Sequence, residues 1–160
     1  MRKIVLLIAI VALSACAENE PVPEYHWSTI ELLKEYYGEP EPALTEWQEL
    51  ILAIAYTESK FKDDAVGAAN DTGQLQITEQ YVREVNRLYK TEYTLEDAFD
   101  FGKSLEMYDL MQQAYNPERD LNEAIKYHNR GAYYKAAVLE NLALVRRYEE
   151  TRRQVLEYGK

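Results

Sequence analysis

Residues 55–78 read AYTESKFKDDAVGAANDTGQLQIT. The stretch opens inside an apolar helical pattern, crosses a small and polar segment, and closes on a second apolar stretch around Leu75 and Ile77. Upstream, Trp47, Leu50, Ile51, Ile54 and Ala55 follow steps of three and four that mark one face of a helix. The same steps continue to Glu58, four residues past Ile54 and seven past Ile51. The periodicity therefore sets a carboxylate on the core-facing stripe, about one turn from the helix end. Burying an ionised carboxylate is costly unless it is paired, and both desolvation and a helix C-terminus favour its protonated form. A glutamate still protonated near neutral pH is what general-acid cleavage of an acetal requires. The period alone leaves a second reading open, in which the helix frays and Glu58 turns into water or pairs with an arginine.

Working outward, Thr45 and Gln48 form a capping-box pattern at the start of this helix, which is predicted to run to about Phe61. Lys62 to Gly73 reads as a loop. Before it, WSTIELLKEYYG suggests a first helix with Ser28 or Thr29 as N-cap and Gly38 as its stop, joined through EPEPA. After it come helical stretches in TEQYVREVNRLYK, SLEMYDLMQQAYN and ERDLNEAIKYHNRG, with a turn in TLEDAFDFG that Thr94 can cap. A last helix, from about Tyr133 to Tyr158, carries Ala136, Leu139, Leu142, Val145 and Leu156 among charges and is expected to pack across the others. No window alternates at period two, so the fold class is all-α.

The N-terminus reads differently. Arg2 and Lys3 precede an apolar run from Ile4 to Leu13, the pattern of a secretory signal and too short to span a bilayer permanently. Leu13-Ser14-Ala15-Cys16 resembles the lipobox of bacterial lipoproteins. That resemblance implies cleavage before Cys16 and its lipidation, with residues 16–26 as an acidic tether and residues 27–160 as one domain. Ala17 after the cysteine resembles lipoproteins sent to the outer membrane, held at the periplasmic face or displayed at the cell surface. Cys16 is the lone cysteine, so no disulfide framework exists. A secreted protein with a stray cysteine is the alternative.

The 160-residue chain carries a formal charge of −10, and −12 once Arg2 and Lys3 are removed. That balance argues against nucleic acid, whose binding leans on basic patches. His26 and His128 show no metal-ligand spacing, and no phosphate-cradling glycine loop is present, so neither metal nor cofactor is expected.

Three segments in order carry a family resemblance: Glu58-Ser59, then Gly73-Gln74-Leu75-Gln76-Ile77, then Tyr127-His128-Asn129-Arg130-Gly131. Together they resemble the signature motifs of the soluble-type lytic transglycosylases in the lysozyme-like superfamily, with the interval from Glu58 to Gln76 kept without a gap. The resemblance implies a goose-type-lysozyme-like helical domain, acting as a monomer on peptidoglycan glycan strands. It implies that Glu58 protonates the glycosidic oxygen between N-acetylmuramic acid and N-acetylglucosamine, then takes a proton from the C6 hydroxyl to leave a 1,6-anhydro end. Ser59, Gln76, Tyr127, His128 and Asn129 are the implied substrate-side residues. For Tyr127 and Tyr81, core packing competes with sugar stacking.

The pattern is departed from in places. His128 stands for the family's tyrosine, which changes hydrogen-bond reach and adds a residue type that titrates near neutrality, and a helix-end histidine held by local bonds is its bland reading. Gly67 stands where the family often has serine, removing one implied substrate hydrogen bond. Asp63, Asp64 and Asp71 are either solvated loop residues or a source of a second carboxylate, Asp71 first, which would make the enzyme a hydrolytic muramidase. A catalytically inactive, glycan-binding envelope lipoprotein of the same fold is the other alternative.

Overall fold

The computed structural model describes residues 26–38 and 44–158. The expected leader, Cys16 and all of the tether except His26 lie outside the described residues. Among the described residues six helices and one 3-10 turn follow in order: α1 (His26–Tyr37), α2 (Glu46–Ser59), α3 (Glu79–Tyr89), the turn Glu96–Phe99, α4 (Phe101–Tyr115), α5 (Leu121–His128) and α6 (Ala132–Tyr158). Pairing in the extended sense is confined, among the described residues, to isolated bridges from Val66 to Thr72 and from Thr72 to Ile77.

The capping box forms at α2 as the sequence predicts. The Thr45 hydroxyl accepts the Gln48 backbone N–H at 3.3 Å, and the Gln48 side chain accepts the Thr45 N–H at 2.8 Å. Thr78, Asp100 and Asp120 cap α3, α4 and α5 in the same manner, each accepting a backbone N–H three residues on. At α1 the expectation fails. The helix already begins at His26, so Ser28 and Thr29 lie inside it, and Thr29 is fully buried. Gly38 does end α1, with φ +83°.

Helix α2 is the axis of the fold. Trp47 to Ala55 are all buried, Leu52 and Ala53 included, so the helix is enclosed on every side rather than along one stripe. The unbroken run Leu50–Ala55 has this consequence, since a helix apolar all round must be covered all round. Helix α6 packs along α2, α1 and α5 also meet it, and Trp47 packs on Tyr108 of α4 with ring centroids 5.9 Å apart. Past its exposed first residue, Glu46, α2 approaches the surface at Tyr56, Thr57 and Glu58, near its C-terminal end.

Candidate active site

Helix α2 stops where the chain turns left-handed at two successive residues, Lys60 (φ 57°) and Phe61 (φ 63°). Ser59 fixes this ending. Its hydroxyl lies 3.1 Å from the Ala55 and Gln74 carbonyls, to which it donates, and it accepts the Lys62 N–H at 3.1 Å. The resemblance implied substrate contact at Ser59; in the structure its hydroxyl joins the end of α2 to the 62–77 loop.

Glu58, one residue earlier, points away from that seam. Its side chain is 16% exposed, and its Oε1 lies 3.1 Å from Nε2 of His128, whose side chain is 4% exposed. A contact between the last turn of α2 and the last residue of α5 thus brings together the two residues singled out in the first and third motifs. Beside them is Tyr134, from the first turn of α6. Burial, and after it the negative charge of Glu58, pushes the Tyr134 phenol far above the ordinary tyrosine range. The phenol therefore stays protonated next to the carboxylate. Nothing in the sequence reading pointed to Tyr134; its signal was the tyrosine three residues past Gly131, where the chain re-enters a helix.

The other implied residues divide. Gln76 is half-buried with a left-handed backbone (φ 48°), and its amide nitrogen donates to the Gly73 carbonyl at 2.8 Å and the Ala65 carbonyl at 3.3 Å. It braces the loop from within. Asn129 is exposed, and its Oδ1 accepts the Gly131 N–H at 2.9 Å, shaping the turn from α5 to α6. Tyr127 is 37% exposed and stacks on Tyr115 at 5.6 Å, with the rings 26° apart. Tyr81 turns its hydroxyl inward, where no group of the described residues bonds it.

Gln74 is the glutamine that the motif spacing passed over. It is buried, its amide nitrogen donating to Asp63 Oδ1 at 2.8 Å and its carbonyl accepting the Thr29 hydroxyl at 3.1 Å. One side chain thereby ties the loop to itself and to α1. Gly67 also gains a physical reason. A Cβ placed there would lie 2.1 Å from Oδ2 of Asp71, so the Asp71 carboxylate already fills the space a serine would need. The other oxygen, Oδ1, accepts the Ala69 N–H at 3.1 Å.

Two cavities of about 640 and 620 Å³ adjoin α1 and α4, and Tyr36 borders both. Glu58 and His128 line neither, so the chemical reading rests on the setting of the carboxylate and not on these cavities. Among the described residues no group of three His, Cys, Asp or Glu side chains could hold a metal ion, and no helix is long and apolar enough to cross a membrane.

Comparison with curated proteins and with solved structures finds no significant match. A family model does match: that of the transglycosylase SLT domain, over residues 35–138, from the end of α1 into the first turns of α6 and across Glu58, Gln76 and His128. The helical architecture agrees with that family's lysozyme-like fold, and the chain belongs to the transglycosylase SLT domain family.

Proposed function

We propose that this protein is a peptidoglycan lytic transglycosylase in which Glu58 is both general acid and general base. The carrying observation is the setting of that carboxylate: largely shielded where the end of α2 nears the surface, 3.1 Å from a buried imidazole and beside a protonated phenol. In the reaction, the Glu58 proton passes to the glycosidic oxygen as the bond from that oxygen to C1 of the muramic sugar breaks. The sugar's own C6 hydroxyl then bonds to C1, and its proton returns to Glu58. The cycle closes with no water consumed and one protein carboxylate used, unlike the two-carboxylate scheme of most glycosidases. Lipidation at Cys16 would hold the enzyme at the outer membrane, where tethering raises its local concentration near glycan despite the negative charge of both.

Mass analysis of fragments released from purified sacculi tests this. Anhydro-ended fragments are expected, and Glu58→Gln should lower their release at least about a hundredfold. Reducing ends would instead indicate hydrolysis, for which the Asp71 carboxylate over Gly67 is the first second-carboxylate candidate. No fragments at all would leave a glycan-binding protein.

A further inference from the structure

The pairing of Glu58 with His128 carries more than the identity of the acid. Resting on the reading of Glu58 as acid and base, we propose that His128 is its positioning residue: the imidazole donates from Nε2 to Oε1 and thereby leaves Oε2 as the oxygen that gives and retakes the proton. The two residues are 70 positions apart, and the 3.1 Å contact is made in a nearly closed environment. The imidazole ring is enclosed by three tyrosines from three other helices. Tyr108 of α4 stands at 5.8 Å, Tyr134 of α6 at 6.0 Å and Tyr81 of α3 at 6.4 Å between ring centroids. Each of these phenols is raised above its usual range, burial first among the causes, so the walls facing the ring are uncharged.

The tautomer follows from what the other nitrogen meets. Nδ1 is buried and has no hydrogen-bond partner among the described residues. A proton on Nδ1 would bury an unpaired donor and turn the Nε2 lone pair toward a carboxylate oxygen. With the proton on Nε2 instead, Nδ1 is a bare acceptor, Nε2 makes its bond, and the fewest buried groups go unmatched. The consequence for catalysis is constancy. Oε1 accepts the same N–H whether Oε2 is protonated or not, so the bond persists through both proton transfers and becomes charge-assisted when Glu58 is ionised. A donor held ready in this way stabilises the carboxylate at the moment it has lost its proton, with no reorganisation.

Two independent measurements decide the matter. In the full chain labelled with nitrogen-15, two-bond proton–nitrogen correlations read the tautomer of each histidine directly. There are two histidines, and a His26→Gln spectrum assigns them. The His128 signals should show a protonated Nε2 and a bare Nδ1, and Glu58→Ala should return them toward a tautomer mixture. In turnover of soluble glycan strands, His128→Phe keeps a ring but no donor, and should lower kcat about tenfold or more with KM changed less than about twofold. His128→Gln restores an N–H and should recover most of that loss. A protonated Nδ1 in the wild type, or a folded His128→Phe variant turning over at the wild-type rate, would overturn the assignment. A wild-type protein that cuts no glycan would sink the enzyme reading instead, and the tautomer measurement alone would then decide the Glu58–His128 bond.

Discussion

Three glycines separate the causes for which a chain keeps this residue, and their alanine variants should give three different answers. Gly73 has φ +75°, and a Cβ built on it would lie 1.9 Å from the carbonyl oxygen of Ala98 and 2.9 Å from that carbonyl's carbon. The obstruction is backbone, so it has no rotamer to escape into. A left-handed alanine costs about 1–2 kcal/mol by itself. The Ala98 carbonyl also accepts the Ser104 hydroxyl at 2.8 Å, in a place where Ser104 is fully buried. Displacing the carbonyl weakens that bond and leaves buried polar groups unmatched, which costs about 1–3 kcal/mol more. Gly73→Ala should therefore destabilise by about 2–5 kcal/mol, a large part of the 5–15 kcal/mol typical of a whole domain. At about 2–4 °C per kcal/mol for a chain of this size, Tm should fall by roughly 4–20 °C.

Gly38 supplies the control. Its φ is +83°, yet a Cβ there meets nothing within 4 Å, so Gly38→Ala should cost only the conformational 1–2 kcal/mol or so. Gly67→Ala meets the far end of the Asp71 side chain, which can swing aside at the loss of one exposed hydrogen bond to Ala69, about 1 kcal/mol at most. Urea unfolding of the three variants beside wild type measures all of this. If Gly73→Ala proves no more harmful than Gly38→Ala, the contact between the loop and the 3-10 turn contributes nothing. The motif glycine would then have to be explained by something other than packing.

Burial is the largest influence on the Asp109 carboxyl and raises its pKa, against the Tyr37 hydroxyl bonded at 2.8 Å and the Arg119 guanidinium at 3.5 Å. The folded protein consequently holds this proton more tightly than the unfolded chain, so Asp109 takes stability away as pH rises from about 4, the ordinary aspartate range. Relative to Asp109→Asn, the wild type should lose stability as pH rises above about 4 in urea unfolding; a gain would mean that Tyr37 and Arg119 outweigh burial. Gln74→Leu should cost about 1–3 kcal/mol, because it strands the buried Thr29 hydroxyl and frees Asp63 at the far end of the loop. Equal unfolding midpoints for wild type and Gln74→Leu would show that the tie between α1 and the loop is dispensable.

What the sequence could disclose follows the range of each interaction. The Thr45–Gln48 box and the Gly38 stop depend on residues within one turn, and both are legible in order. The start of α1 was misplaced because two good capping residues, Ser28 and Thr29, follow the true start, and Thr29 serves Gln74, 45 residues away, rather than its own helix end. Periodicity correctly marked Glu58 as more shielded than a surface glutamate. It understated α2, whose apolar run is covered on every side. The partner of Glu58 was beyond reach, since no local pattern specifies which of the later helices returns to the end of α2.

The departures from the family pattern change meaning for the same reason. Compared position by position, Gly67 for serine and His128 for tyrosine read as two losses at a site. In three dimensions each belongs to a pair. Gly67 and Asp71 share a single volume, so a side chain at one excludes the observed position of the other. His128 sits among Tyr81, Tyr108 and Tyr134, which leave one of its nitrogens for Glu58 and none for themselves. A serine restored at 67 would accordingly move a carboxylate rather than simply add a hydroxyl. Restoring tyrosine at 128 would put a larger ring into a space already closed by three others. Judging this chain's activity from single positions thus misses the unit that changed, which in both places is the residue together with what packs on it.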